Sequence, residues 1–285
     1  AQPQCGALAE APLAGALGGA PGAVAVGRRN AIFDIDSSRD PLWNSPQQII
    51  DNRVFCVAAL ASAVPPGPGG GMNTRDQFGN YLLLKKLSED ALGETFRAGK
   101  LGKQGVERVL LLRVFNGQGL DGEKLAQRIQ SRAPLQQALK SPNLGLGLDL
   151  GQVRGVPYVA YDYISGKTLA QLLEQAASKH SPIPLDHALL MTERIALGLA
   201  VAYETRIGDE RVQHGFLTPH LVIVSNEGEL RLLGFEASTG LRDAANHPLI
   251  KQSAGRYLAP EVLAGAPPAK AAAVYSLGAI LFELL

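Results

Sequence analysis

Hydrophobic and polar positions change character along the chain. Ala1 to Val26 is an Ala/Gly/Pro mixture without period, and Pro65-Pro66-Gly67-Pro68-Gly69-Gly70-Gly71 is a flexible breaker. Between them Ala31 to Asp36 alternates like a short strand, and its Asp34 and Asp36, lacking a partner motif, are expected in a solvated turn. Disorder is expected for most of residues 1–71. From Tyr81 the pattern organises. Tyr81–Leu87 and Glu94–Ala98 predict a strand pair, and Val109–Phe115 predicts a nearly continuous apolar strand. Glu123–Leu139 has helical spacing interrupted at Pro134. Leu144–Leu150 and Val156–Tyr163 predict two further strands. After Gly166 the period becomes helical, over Leu169–Ala177 and Asp186–Tyr203, with Leu189, Ala196, Leu199 and Tyr203 as the apolar face of the second. Ala271–Leu285 is apolar on nearly every side, as a central helix would be. Strands followed by helices imply an α+β fold of two lobes, residues 78–163 and 164–285.

Composition narrows the function classes. With 46% hydrophobic and 19% charged residues, the chain of 285 residues is an ordinary soluble domain. A net charge of +1 argues against nucleic acid as an electrostatically recognised partner. Cys5 and Cys56 support neither a disulfide framework nor a metal site. The apolar run Val54–Val64 is roughly half the ~20 residues a spanning helix needs. No basic segment precedes an apolar core, so no signal peptide is expected. These features predict a cytoplasmic protein with no membrane segment within the chain. Met72 directly follows the glycine run, and a natural start there would leave the first 71 residues as an upstream extension.

The motifs carry more. His214-Gly215-Phe216-Leu217-Thr218-Pro219-His220-Leu221 is followed by Val222-Ile223-Val224, a polar turn Ser225–Gly228, and Leu232-Leu233-Gly234-Phe235-Glu236. Downstream stand Tyr257-x-Ala259-Pro260-Glu261 and Val274-Tyr275-Ser276-Leu277-Gly278; upstream, Pro157-Tyr158 leads to Tyr163 and Gly166. In this order and spacing, the chain from about Tyr81 onward resembles the bacterial members of the eukaryotic-type Ser/Thr protein kinase family. The resemblance implies a bilobal protein-kinase-like fold, with H-R-D-L-K-P-x-N, D-F-G and A-P-E equivalents at these positions.

The resemblance also shows what has been lost. In the family the loop Asp accepts the substrate proton, while the loop Asn and the D-F-G Asp hold magnesium. Phe216, Leu221 and Gly234 stand at those positions, and hydrocarbon neither accepts a proton nor ligates a hard cation. Arg113 replaces the nucleotide-gripping lysine of V-A-I-K, and Leu111 replaces the alanine roofing the adenine pocket. The glycine-rich loop aligns with Leu87–Thr95, where Gly93 alone remains and Asp90 adds a carboxylate, expected as an exposed acid of an ordinary turn. The glutamate partner of the lysine falls near Arg132, which would set two cations face to face, and Glu123 lies too early to substitute. Tyr161 takes the gatekeeper position. With Asp162 and Tyr163, Gly93 and Arg113, it completes the weak cofactor-binding candidates. Glu236 is a remote candidate metal ligand. Gly215 replaces the arginine that would receive a phosphorylated activation loop, leaving no receptor for a phosphate on Ser238, Thr239 or Ser253. Ala273 replaces the aspartate that tethers the catalytic loop.

Positions that pack or turn the chain match the family, and positions that touch nucleotide, metal or substrate do not. The expectation is a pseudokinase, a regulatory or scaffolding module in bacterial signalling with protein partners, no intact catalytic residue and no cofactor. The alternative is an active Ser/Thr kinase working through substitute residues, to which ATP and magnesium would return. A small-molecule sensor is disfavoured by Leu111 and Tyr161. The family continues beyond the helix ending at Leu285, so a truncated C-lobe is expected, with part of Leu277, Ile280, Leu281, Leu284 and Leu285 exposed.

Overall fold

A computed structural model describes residues 76–285. The expectations for residues 1–71, including the Asp34/Asp36 turn, lie outside these described residues. Strands β1 (Gln77–Phe78), β2 (Tyr81–Asp90), β3 (Gly93–Gly102) and β4 (Gly105–Val114) open the described chain, followed by helices α1 (Gly122–Ser131) and α2 (Leu135–Ala138). Then come β5 (Gly147–Val153) and β6 (Val156–Asp162), which complete a six-stranded sheet of order β1-β2-β3-β4-β6-β5 with every neighbouring pair antiparallel. Its concealed face is a core of Tyr81, Leu83, Phe96, Leu110, Leu112 and Ala160. Alternation sets this face: Leu110 and Leu112 point to it, while Leu111 and Arg113 point to the opposite side.

The rest is mostly helical. Strand β7 (Gly166–Thr168) leads into α3 (Leu169–Ser178) and α4 (Leu185–Glu204), followed by a short hairpin of β8 (Arg206–Ile207) and β9 (Glu210–Arg211). A 3₁₀ turn at Pro219–Leu221 precedes β10 (Val222–Ser225) and β11 (Leu230–Leu232), which form the sheet β11-β10-β7. Short helices α5 (Ser238–Asp243), α6 (Pro248–Ala254) and α7 (Pro260–Leu263) precede α8 (Lys270–Leu284). Local sequence explains the boundaries. The Asp121 carboxylate caps α1 by accepting from Lys124 N at 3.0 Å, and Pro134 separates α1 from α2. Thr168 and Gln171 form a reciprocal capping box on α3. Prolines open α6 and α7, where the missing N–H leaves no bond unmade.

Three sequence expectations need correction. The strand expected at Leu144–Leu150 begins at Gly147, because Leu144 bridges Leu232 and the Gly145 N–H bonds its carbonyl at 2.9 Å. On α4 the buried face is Ala188, Met191, Ile195, Gly198 and Ala202, and Leu189 is exposed. Small residues set this phase: at Gly198 an added Cβ would lie 3.2 Å from Leu144, so the helix packs close where its side chains are smallest. α8 is not enclosed on every side as a central helix would be: Ile280 and Leu284 are buried, but Val274, Tyr275 and Phe282 are exposed, as is Leu285, one of the residues expected to be exposed in part. No helix among the described residues is long and apolar enough to cross a membrane.

Candidate functional site: a filled cleft

The site expected from the motifs lies where β2–β4 and β6 face the loop preceding β10 and the segment following β11. The lower wall is hydrocarbon. Phe216 is fully buried, and Leu221 is buried on the 3₁₀ turn. Both belong to one apolar cluster with Leu92, Leu111, Tyr161, Ile223 and Leu233, so side chains from the strand-rich and helical parts share a single core across the cleft. Gly234 makes this packing feasible. Its φ of +91° suits glycine, and a Cβ there would stand 3.1 Å from both methyls of Leu221. Phe216, Leu221 and Gly234 thus meet in one place, but as packed hydrocarbon and bare backbone. Such a donor set does not fit magnesium, which takes oxygen ligands. Among the described residues no group of three or more His, Cys, Asp or Glu side chains is arranged to hold a metal ion.

His214 anchors this wall. It is buried and stacks edge-on against Phe235 with ring centres 4.6 Å apart. Its Nε2 lies 2.8 Å from the Leu233 carbonyl, which only accepts, so Nε2 carries the proton and Nδ1 is free to accept from Phe216 N at 3.4 Å. Burial pulls its pKa down to about 4, against a smaller opposing effect of the Leu233 bond, so the ring is neutral near pH 7. It holds two loops together, consistent with a structural role.

Glu236 does not point into solvent. It is wholly buried, accepting from the Gly147 N–H at 2.6 Å and from the Tyr161 hydroxyl at 3.3 Å. Burial raises its pKa, and the Gly147 bond counters part of that rise. The carboxylate considered as a metal ligand is therefore spent on joining the segment after β11 to β5 and β6. Tyr161, buried in turn, fills the back of the cleft.

The upper wall keeps its charges and pairs them. Arg113 on β4 is 4% exposed. Its Nη2 donates to Asp90 Oδ1 at 2.5 Å and its Nη1 to the hydroxyl of Thr95, its cross-strand neighbour, at 2.9 Å. Asp90 also accepts from the Leu92 N–H at 2.8 Å, and His220 Nδ1 stands 3.7 Å from its second oxygen. The Asp90 side chain is 6% exposed, which overturns its assignment as an exposed turn acid. Burial would raise its pKa, but Arg113 and His220 together outweigh this and hold it below the ordinary carboxylate value. Nearby, Lys86 pairs with buried Glu94 at 2.5 Å, and Asn116 donates to the same glutamate at 2.7 Å. Gly93 serves the sheet: with φ +141°, its Cβ would meet the Val114 carbonyl oxygen at 2.2 Å.

Other candidates are placed elsewhere. Asp162 is half exposed at the end of β6, paired with Arg108, and Tyr163 follows it, partly buried. Arg132 does not oppose Arg113; it closes α1 and donates to the Thr239 hydroxyl at 3.0 Å. Glu123 is exposed in the first turn of α1. Below the loop a cavity of about 10 Å³ is lined by His214, Gly215, Leu258, Ala273 and Ser276, room for roughly one water where Gly215 and Ala273 lack larger side chains. Sequence reasoning missed the Asp90–Arg113 pair. Its signal was a lone acid in the aligned loop together with a strand cation that had lost its family partner. It also missed Gln171, whose amide caps α3 with one end and donates to the Leu87 carbonyl of β2 at 2.8 Å with the other.

Comparisons with known proteins bear on the fold. No family model matches the chain. It is 25% identical over 228 residues to a tyrosine-protein kinase, MasK, of Myxococcus xanthus, covering 79% of this chain and 35% of that protein. It is 28% identical over 214 residues to the serine/threonine-protein kinase PknD of Mycobacterium tuberculosis, covering 73% and 30%. To the serine/threonine-protein kinase PrkC of Bacillus subtilis it is 23% identical over 208 residues, covering 73% and 30%. The chain thus spans about a third of the length of the curated relatives it matches. Among solved structures, the kinase domain of Mycobacterium tuberculosis PknI superposes with a TM-score of 0.56 at 22% identity, over 75% of this chain and 77% of that one. The fold is that of a protein-kinase domain, with a strand-rich N-lobe and a partial helical C-lobe. In sequence the chain is similar to bacterial Ser/Thr and tyrosine protein kinases over this kinase-like domain.

Proposed function

We propose that residues 78–285 form a pseudokinase domain, acting in bacterial signalling as a regulatory or scaffolding module through protein partners. The observation that carries this reading is the merging of the two lobes into one apolar cluster at the place of chemistry. Leu111 from above meets Phe216 and Leu221 from below, and Tyr161 closes the rear. Small-molecule sites are concave spaces of roughly 300–1,000 Å³ with a few convergent polar groups. Here the polar groups converge on each other. Arg113 is committed to Asp90 and Thr95, and Glu236 to Gly147 and Tyr161.

Phosphoryl transfer depends on positioning and on stabilising charge at the transferred group. A fold without the base and both metal-ligating carboxylate or amide positions has neither means. The test is a calorimetric titration with magnesium-ATP, paired with a radiolabel transfer assay to the chain itself and to generic protein substrates. Neither binding in the micromolar range nor transfer above background is expected. Transfer abolished by Arg113→Ala or Glu236→Ala would overturn the proposal in favour of a kinase using substitute residues.

A further inference from the structure

Asp90 and Arg113 do something a packing pair does not require. A guanidinium taken out of water needs an anion beside it, and a single bidentate carboxylate would satisfy both its terminal nitrogens. The observed arrangement is different. Asp90 offers one oxygen, Oδ1, to Arg113 Nη2 and to Leu92 N–H, while its Oδ2 is buried without a hydrogen-bond partner. Arg113 Nε is likewise buried and unpartnered, and Nη1 turns to the Thr95 hydroxyl. His220 Nδ1 approaches Oδ2 only to 3.7 Å. Asp90 is thus bonded by a guanidinium and a backbone N–H and approached by an imidazole, while its Oδ2 and Arg113 Nε are both left without a partner. An oxyanion placed side-on would reach Arg113 Nε together with Nη2, which the tethered carboxylate, holding Nη2 alone, does not do.

Asp90 reaches this place from a tight turn. It pairs with Gly93 across the two residues Ala91 and Leu92, and the Leu92 side chain is anchored in the apolar cluster that joins the lobes. We infer that the cleft retains an anion-binding site whose ligand is part of the chain: Asp90 is a tethered oxyanion that occupies Arg113 Nη2 and the Leu92 N–H, with His220 Nδ1 3.7 Å from its second oxygen. A tethered group is present at an effective concentration of millimolar or more, so a free anion competes poorly in the native chain. Taking away the carboxylate vacates a site for a small free oxyanion, carboxylate or phosphate, bound without metal. The inference stands apart from the pseudokinase reading, because neither ATP nor magnesium takes part.

The experiment is anion rescue of the Asp90→Ala full chain, followed by thermal melting. Sodium formate and sodium phosphate are the probes, titrated against sodium chloride at equal ionic strength. Asp90→Ala should melt below the native chain, and both oxyanions should raise its Tm with saturation on the order of 10–100 mM, as for a site that has lost a tethered ligand. Chloride should not do this, the native chain should not respond, and Asp90→Ala/Arg113→Met should lose the response. If Asp90→Ala does not fold, refolding with and without formate decides the matter: recovery only with the anion supports the site, and no recovery overturns it. An Asp90→Ala Tm equal to native, or equal oxyanion responses in the native chain and the double variant, would also overturn it. Either failure leaves the magnesium-ATP titration to decide the pseudokinase reading separately.

Discussion

The two walls of the cleft have been closed by opposite physical means. The upper wall keeps its polar groups and neutralises them in pairs, Arg113 with Asp90 and Lys86 with Glu94. The lower wall has exchanged them for hydrocarbon, with Phe216 and Leu221 packed over the bare backbone of Gly234. The difference teaches how each tolerates change. An apolar contact loses area in proportion to what is removed, so its parts fail separately. A buried ion pair fails as a unit, because removing one partner strands the other's charge.

The largest effect should come from putting charge back into the lower wall. Phe216→Asp combines a lost aromatic side chain with a carboxylate in an apolar core. It is expected to cost more than about 4 kcal/mol and to leave little folded protein in urea denaturation. Near-native stability would mean that the wall opens to solvent. On the upper wall, Asp90→Leu or Arg113→Met alone should each cost about 3–5 kcal/mol, while the double replacement should recover most of that loss. A double-mutant cycle in urea measures the coupling, and additive losses would mean that the pair is not a unit.

Third comes pH. His214, neutral in the fold with a pKa of about 4 against an ordinary 6.5, takes up its proton in the unfolded chain first. Stability from this group is whole above about pH 6.5 and is lost as pH falls towards 4, by about 3 kcal/mol in full. Glu236, with its raised pKa, acts in the opposite sense, so the informative quantity is the difference between native and His214→Gln pH profiles. Equal slopes between pH 6.5 and 4 would show that His214 is not the source. Smallest is the exposed pair Arg108–Asp162, with side chains 56% and 51% exposed. Arg108→Ala should cost less than about 1 kcal/mol by thermal melting, which separates pairing in the cleft from pairing at the surface.

Much of this was legible in the chain. Strand and helix order followed from period, and the kinase-like architecture from His214, Pro219 and the Tyr257–Glu261 motif, since backbone-turning residues leave local marks. Substituted positions were legible too, because Phe216, Leu221 and Gly234 are read one residue at a time. What stayed hidden were partnerships over distance. Asp90 and Arg113 are 23 residues apart and Gly147 and Glu236 are 89 apart, and nothing local says that either acid will be buried. The phase of α4 was hidden for another reason: leucines lie on several of its faces, and the close approach of Gly198 to Leu144 decides among them.

The contact between Leu221 and Gly234 also bears on the history open to such a domain. An aspartate at 234 would have to enter a backbone geometry favouring glycine while its first carbon presses on the Leu221 methyls. An asparagine at 221 would sit, with no ligand to gain, in the cluster that holds Phe216. Each of these single substitutions is therefore expected to cost stability on its own. On the pseudokinase reading proposed above, this packing would work as a ratchet, leaving the outer surface as the part of the domain open to change.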